Sequence, residues 1–191
     1  MIAEIGHFAL ILALGVAAFQ CVVPLVGAHY GNREMIASAV PAALIQLILI
    51  YVAFAALMHA YVTSDFSVAN VFENSHSAKP MLYKISGVWG NHEGSMVLWV
   101  FILAIFGAAV ALFGDNLPPT LKARVLAVQG SIGTAFLLFI VMTSNPFARL
   151  NPAPIEANRL TPLLQDPALP FPPPFPSAGS AGPSVASTGS A

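Results

Sequence analysis

Between residues 87 and 99 the chain reads GVWGNHEGSMVLW, which sets His92 beside Glu93 between two tryptophans, Trp89 and Trp99, as a long apolar run begins. Histidine and glutamate are side chains of acid–base work and of metal ligation, so this segment is the first candidate for chemistry. Spacing removes one reading. A zinc hydrolase helix needs His-Glu-x-x-His, and the position that must carry the second histidine is Met96. Local structure accounts for more. Asparagine is a strong helix N-cap, which suits Asn91, and Glu93 in a first turn is favoured by the helix dipole. Capping leaves His92 unexplained. Its readings are a cofactor or partner contact, or a local hydrogen bond.

The other histidines are scattered. His7 and His29 flank the first apolar run and read as interfacial. His59 lies near the end of the second run, with Tyr51 two turns before it, and His76 lies in the loop that follows. An ionisable side chain on a membrane helix is a default functional candidate, yet position 59 is close to the headgroups, where a histidine costs little. No Ser/His/Asp arrangement, paired carboxylates or phosphate-binding glycine loop can be drawn. Cys21 is the single cysteine and sits in an apolar run, so neither an intramolecular disulfide nor a Cys-x-x-Cys site is expected.

The elements that position these residues follow from composition. Of 191 residues, 57% are hydrophobic and 8% charged, and the mean hydropathy is +0.79. Soluble domains carry about 25% charged residues, so the chain reads as an all-α integral membrane protein. A net charge of −1 argues against a nucleic-acid partner. A bilayer crossing takes about 20 apolar residues, and four runs qualify: 8–27, 39–62, 95–114 and 125–143. The predicted spanning helices are about 5–27, 39–62, 94–114 and 121–143. The first is read as retained rather than cleaved, because its flank holds Glu4 and no basic residue.

Four crossings put both chain ends on one side. Arg33, Lys122 and Arg124 lie at one end of the bundle, against Lys79, Lys84, Arg149 and Arg159 at the other. Lys122 and Arg124 crowd a short loop and favour that loop inside, with both termini outside. The 28–38 loop is short and polar. The 63–94 loop opens with SDFSVANVFENS, read as a short extended segment, and continues with KPMLYKISGVWG, read as an interfacial helix over about 81–89 with Tyr83 and Trp89 as belt aromatics. Gly130, Gly133 and Ala135 would allow close helix packing. The segment after 143 is proline-rich and polar. Residues 170–191 are rich in Pro, Ala, Gly and Ser without charge, which predicts a disordered tail.

Over roughly residues 1–169 the chain resembles the N-terminal part of the CcmF-type cytochrome c haem lyases. The resemblance rests on EIGHFALILALG, DFSVANVFENS, WGNHEGSMVLWV, KARVLAVQG, TSNPFARL and NPAPIEANRLTPLLQDPAL. It implies a multi-pass protein of the bacterial inner membrane with a periplasmic N-terminus. It implies transfer of haem from a periplasmic haem chaperone to the Cys-x-x-Cys-His thiols of apocytochrome c, aided by thiol-handling maturation proteins. The family signature falls on Trp89, Gly90, Asn91, His92, Glu93, Gly94, Ser95 and Trp99, as a haem-path or partner contact. Loop motifs fall on Asn145, Pro146 and Phe147, and on Gln165, Asp166 and Pro167.

One departure bears on activity. After LLQDPxLxF the family continues with His-Pro-Pro, whose histidine is an external haem ligand; here the position is Pro172, which cannot ligate iron. The family's tryptophan-rich loop, its second external ligand and the histidine pair of its internal b-type haem have no counterpart in these residues. The expectation is therefore no catalytic residue, no metal site and no stably bound haem in this chain, although the full-length family holds haem b. It is also that the ending from about 170 is out of frame or misassembled, with a split gene as the rival. Two readings of function stand: a haem lyase component inactive alone, and a non-catalytic scaffold that docks maturation partners in the lipid. A small respiratory or transport subunit has only composition in its favour.

Overall fold

A computed structural model describes residues 1–75 and 80–150. Seven α-helices are present among them, α1 (Ile2–Tyr30), α2 (Arg33–Ala37), α3 (Ala39–Val62), α4 (Ala69–Asn74), α5 (Met81–Gly87), α6 (His92–Phe113) and α7 (Pro119–Met142), with a 3-10 turn, Gly114–Asn116, after α6. Four membrane-crossing stretches result, from α1, α2–α3, α6 and α7, by length and hydropathy. The protein is thus a multi-pass membrane protein. In hydrocarbon each backbone N–H and C=O must find its partner within the segment, which explains why the apolar runs are uninterrupted helix. The ends are set by local chemistry. α1 stops at Gly31, which takes the left-handed conformation at φ 71° and donates its N–H to the Gly27 carbonyl. α2 starts at Asn32, whose side chain accepts from the Glu34 and Met35 amides. α7 starts at Pro119, a position where no N–H is required.

The bundle is up-and-down. α1 packs on both α3 and α7, and α6 closes the bundle against α3 and α7. The seam is made of small residues: Ala9, Ala13 and Ala17 of α1 and Ala53, Ala56 and Ala60 of α3 are all buried. Lipid offers no hydrophobic drive to join helices, so close backbone approach and interhelical hydrogen bonds must hold them. Two glutamines supply such bonds. Gln20 of α1 is fully buried and donates Nε2 to the Leu126 carbonyl at 2.8 Å. Gln129 of α7 donates to the Leu103 carbonyl at 2.7 Å. Each acceptor lies one turn before a glycine, Gly130 and Gly107 respectively. A Cβ on Gly107 would overlap the Gln129 amide, and one on Gly130 would lie 2.9 Å from the Cys21 nitrogen. The glycines therefore open the helix wall where the amide must reach a carbonyl.

The predicted spans agree with α1, α3, α6 and α7 within three residues at every end. Two local expectations need correction. The segment from Ser64 to Ser75 is not extended: after a single antiparallel bridge between Val68 and Arg149 it turns into α4. Val68 and Val71, read as strand-formers, are instead fully buried in the main core, so burial outweighs β propensity here. The 28–38 connection is not only a loop, because Asn32 caps the short helix α2. The short helix expected over about 81–89 is present as α5, with its last residues Ser86 and Gly87 buried. His76, Gln165, Asp166, Pro167, Pro172 and the ending from 170 lie outside the described residues.

Gly130→Ala should destabilise the bundle by about 1–3 kcal/mol, since the new methyl meets backbone rather than a mobile side chain. Gly15→Ala is the control: nothing lies within 4 Å of its Cβ position, so it should be neutral or stabilising by up to about 1 kcal/mol. Reversible unfolding of both variants in detergent micelles measures the difference.

Candidate functional site

The N-terminus of α1, the C-termini of α3 and α7, the N-terminus of α6 and the loops 63–75, 88–91 and 143–150 share one end of the bundle. Here the signature segment folds into a polar knot. Asn91 is the N-cap of α6, and its Oδ1 accepts from the Gly94 amide at 2.7 Å. The same oxygen accepts from Asn70 Nδ2 at 2.9 Å. Asn91 Nδ2 donates to the Tyr61 hydroxyl at 2.7 Å and to the Gly87 carbonyl at 2.9 Å. Tyr61 in turn donates to Asn70 Oδ1 at 2.5 Å, and Asn70 Nδ2 also donates to Glu93 Oε2 at 2.9 Å. A side-chain amide has two protons and one acceptor oxygen. Asn91 has used all of these, and Asn70 has used both protons and its oxygen.

Burial makes this accounting matter. Tyr61 is fully buried and Asn70 is 4% exposed, and an unpaired buried polar group costs about 1–3 kcal/mol. Gly94 is part of the same construction, because a Cβ there would fall on the Val88 carbonyl oxygen. The turn Val88–Gly90 is folded back against the first turn of α6, and only glycine leaves it room.

His92 stands apart from the knot. Its side chain is exposed and meets the Phe139 ring edge-on, with centroids 6.3 Å apart. Ser95 Oγ donates to the His92 carbonyl at 2.9 Å. Trp99, two turns on, is 54% exposed, whereas Trp89 packs against the core. Of the signature residues, the structure thus gathers Asn91, Glu93 and Gly94 inward and leaves His92 and Trp99 outward.

The loop 143–150 forms a second cluster on α1. Asn145 Oδ1 accepts from the Phe147 amide at 3.0 Å and lies 3.3 Å from His7 Nδ1. The Phe147 ring sits where a side chain on Gly6 would be. Arg149 bridges Glu4 and Ser67, at 2.5 and 2.9 Å. The Ala69 amide donates to the Ala148 carbonyl, and the Leu150 amide to the Ser67 carbonyl. Loop 143–150 is thus hydrogen-bonded to the 67–69 segment that leads into the knot.

Sequence reasoning missed Tyr61, Asn70 and Ser67. Tyr61 lay inside an apolar run and Asn70 in a segment read as extended, so nothing in their spacing pointed to Asn91. Arg149 was read only as a topological charge.

His7 and His29 line separate depressions at opposite ends of α1, about 33 Å apart at 1.5 Å per residue. No described depression is lined by two histidines, and among the described residues no group of three His, Cys, Asp or Glu could hold a metal ion.

Comparison with known proteins supplies the family. The family model described as "Cytochrome C assembly protein" matches residues 89–190, more than half of the chain. The chain belongs to the cytochrome c assembly protein family. The matched segment opens at Trp89, the start of the signature, and continues through the proline-rich ending. Among curated relatives, cytochrome c-type biogenesis protein ccl1 of Rhodobacter capsulatus is 63% identical over 186 residues, covering 97% of this chain and 28% of its own. CycK of Rhizobium meliloti is 58% identical, covering 97% of this chain and 27% of its own. CcmF of Escherichia coli is 44% identical, with 97% and 29% covered. This member of the assembly family therefore spans under a third of the length of the relatives it matches. A solved structure titled "Cytochrome c Heme Lyase CcmF" shares its fold, with a TM-score of 0.71, 23% identity, 77% of this chain covered and 25% of that one.

Asn91→Ala should cost about 2–4 kcal/mol, combining a lost cap with donors and acceptors left unpaired. In a double-mutant cycle with Tyr61→Phe, a coupling of about 0.5–3 kcal/mol is expected. Additive losses in detergent unfolding would mean that the knot is not a unit.

Proposed function

We propose that this chain is the N-terminal membrane portion of a cytochrome c haem lyase, working in the bacterial inner membrane. In that reading the complete protein takes haem from a periplasmic haem chaperone. It then presents the haem to apocytochrome c, where the two cysteine S–H bonds add across the haem vinyl groups to form thioethers. Thiol-handling maturation proteins deliver the apocytochrome. The carrying observation is 63% identity over 97% of this chain to a cytochrome c biogenesis protein more than three times as long.

Within that protein we assign these residues a scaffold role rather than haem ligation. Asn91, Glu93 and Gly94 are committed to the Tyr61–Asn70 knot. The described histidines lie apart, so haem b belongs elsewhere in the complete protein. We assign contact with haem or a partner to the exposed His92 and Trp99, since Pro146 and Phe147 of the 145–147 loop are buried. The N-terminus and the knot are assigned to the periplasm, because Lys122 and Arg124 crowd the short loop at the opposite end, although the totals at the two ends, three against four, carry no bias.

The 191-residue chain, expressed in a strain lacking the full-length protein, should produce no holocytochrome c and should purify without a stoichiometric Soret band. Restored maturation would overturn the scaffold assignment. For orientation, alkaline phosphatase fused after Leu150 should be active and green fluorescent protein fused there should be dark; the reverse pattern would place the knot in the cytoplasm.

A further inference from the structure

At the end of the bundle opposite the knot, a depression of about 500 Å³ lies between the last turn of α1 and the second turn of α7, lined by Leu25, Val26, His29, Tyr30 and Arg124. Arg124 is exposed and makes no ion pair or side-chain hydrogen bond among the described residues. Arg33 is likewise exposed and unpaired among the described residues but lines none of the described depressions, whereas three other basic side chains are engaged. Lys122 is paired with Asp115, Arg149 with Glu4, and Lys84 donates to Ser64. The His29 and Tyr30 rings meet edge-to-face, centroids 5.1 Å apart, on the same rim. Below the rim the wall is apolar and open to lipid. Leu25 is 47% exposed, Val22 one turn deeper is 56% exposed, and Val128 one turn below Arg124 is 58% exposed.

We propose that this depression binds the headgroup of an anionic phospholipid. The Arg124 guanidinium presents a planar fork that matches phosphate oxygens, and His29 and Tyr30 add donors beside it. The acyl chains follow the Val22–Leu25 and Val128 surface into the hydrocarbon. A free phosphate would use only the rim, whereas a lipid also uses the apolar wall continuous with it, and the wall decides for lipid. Basic pockets between membrane helices are the usual holders of such headgroups. The depression beside Glu4, His7 and Arg149 is the counter-example, since its cation is already ion-paired with Glu4 and hydrogen-bonded to Ser67.

Native mass spectrometry of the 191-residue chain in mild detergent tests this, with phosphatidylglycerol, phosphatidylcholine and inorganic phosphate as probes. One phosphatidylglycerol should be retained in preference to phosphatidylcholine. Arg124→Gln should lower that retention about fivefold, the factor one basic residue contributes near an anionic lipid. His29→Gln should move it in the same direction, and Lys122→Gln should leave it unchanged. Equal retention of both lipids, or wild-type retention by a folded Arg124→Gln chain, overturns the site. Displacement of the lipid by millimolar phosphate overturns the lipid as its ligand in favour of a phosphate site.

Discussion

The carboxamide of Asn91 is the group on which the end of the bundle depends. It caps α6, and it holds the turn at Gly87, the hydroxyl of Tyr61 on α3 and the amide of Asn70 on α4. The end of α3, α4 and the 87–91 turn thus converge on one side chain. The geometry is tight because the partners are buried: each group either has its hydrogen bond or carries the full cost of desolvation. Gly94 then follows as a requirement. The folded-back turn that lets Asn91 reach Gly87 also brings the Val88 carbonyl onto the α6 backbone.

The same logic runs through the membrane interior with fewer polar groups. Alanine and glycine bring the helices close, and Gln20 and Gln129 use that closeness to reach carbonyls of neighbouring helices. These carbonyls already serve their own helices, so the glutamine takes the second lone pair. Gln20 and Gln46 each keep a buried Oε1 without a partner, which leaves the α1–α3–α7 seam less completely satisfied than the knot. The knot, not the seam, is therefore the more fully determined part of the structure.

Much of the fold was legible in the sequence, because a bilayer imposes a length and a composition that few other environments require. The four spans and the Asn91 cap are of this kind: each rests on a local pattern. The turn into α4 was not legible, since Val68 and Val71 obey the core rather than their strand preference. Nor was the knot. Its members are 9, 21 and 23 residues apart along the chain, and no periodicity links a tyrosine in an apolar run to an asparagine in a loop. His92 and Glu93 are adjacent in sequence, which suggested joint chemistry. The helix separates them, turning Glu93 inward to Asn70 and His92 outward to Phe139.

That separation decides what the signature can do. General acid–base work by a His–Glu pair needs both groups at one reacting atom, within hydrogen-bond reach. Here the carboxylate is engaged by Asn70 while the imidazole lies on the outer surface, above the exposed face that carries Trp99. The inward half of the motif is therefore a structural anchor, and its effect on function passes through position: it fixes the first turn of α6 and so the direction in which His92 and Trp99 project. A change at Asn91 or Gly94 would act on any partner at that surface by moving those two side chains, without touching the partner itself. The motif that first suggested catalysis is better understood as the mount that fixes an exposed imidazole and indole on the outer surface at this end of the bundle.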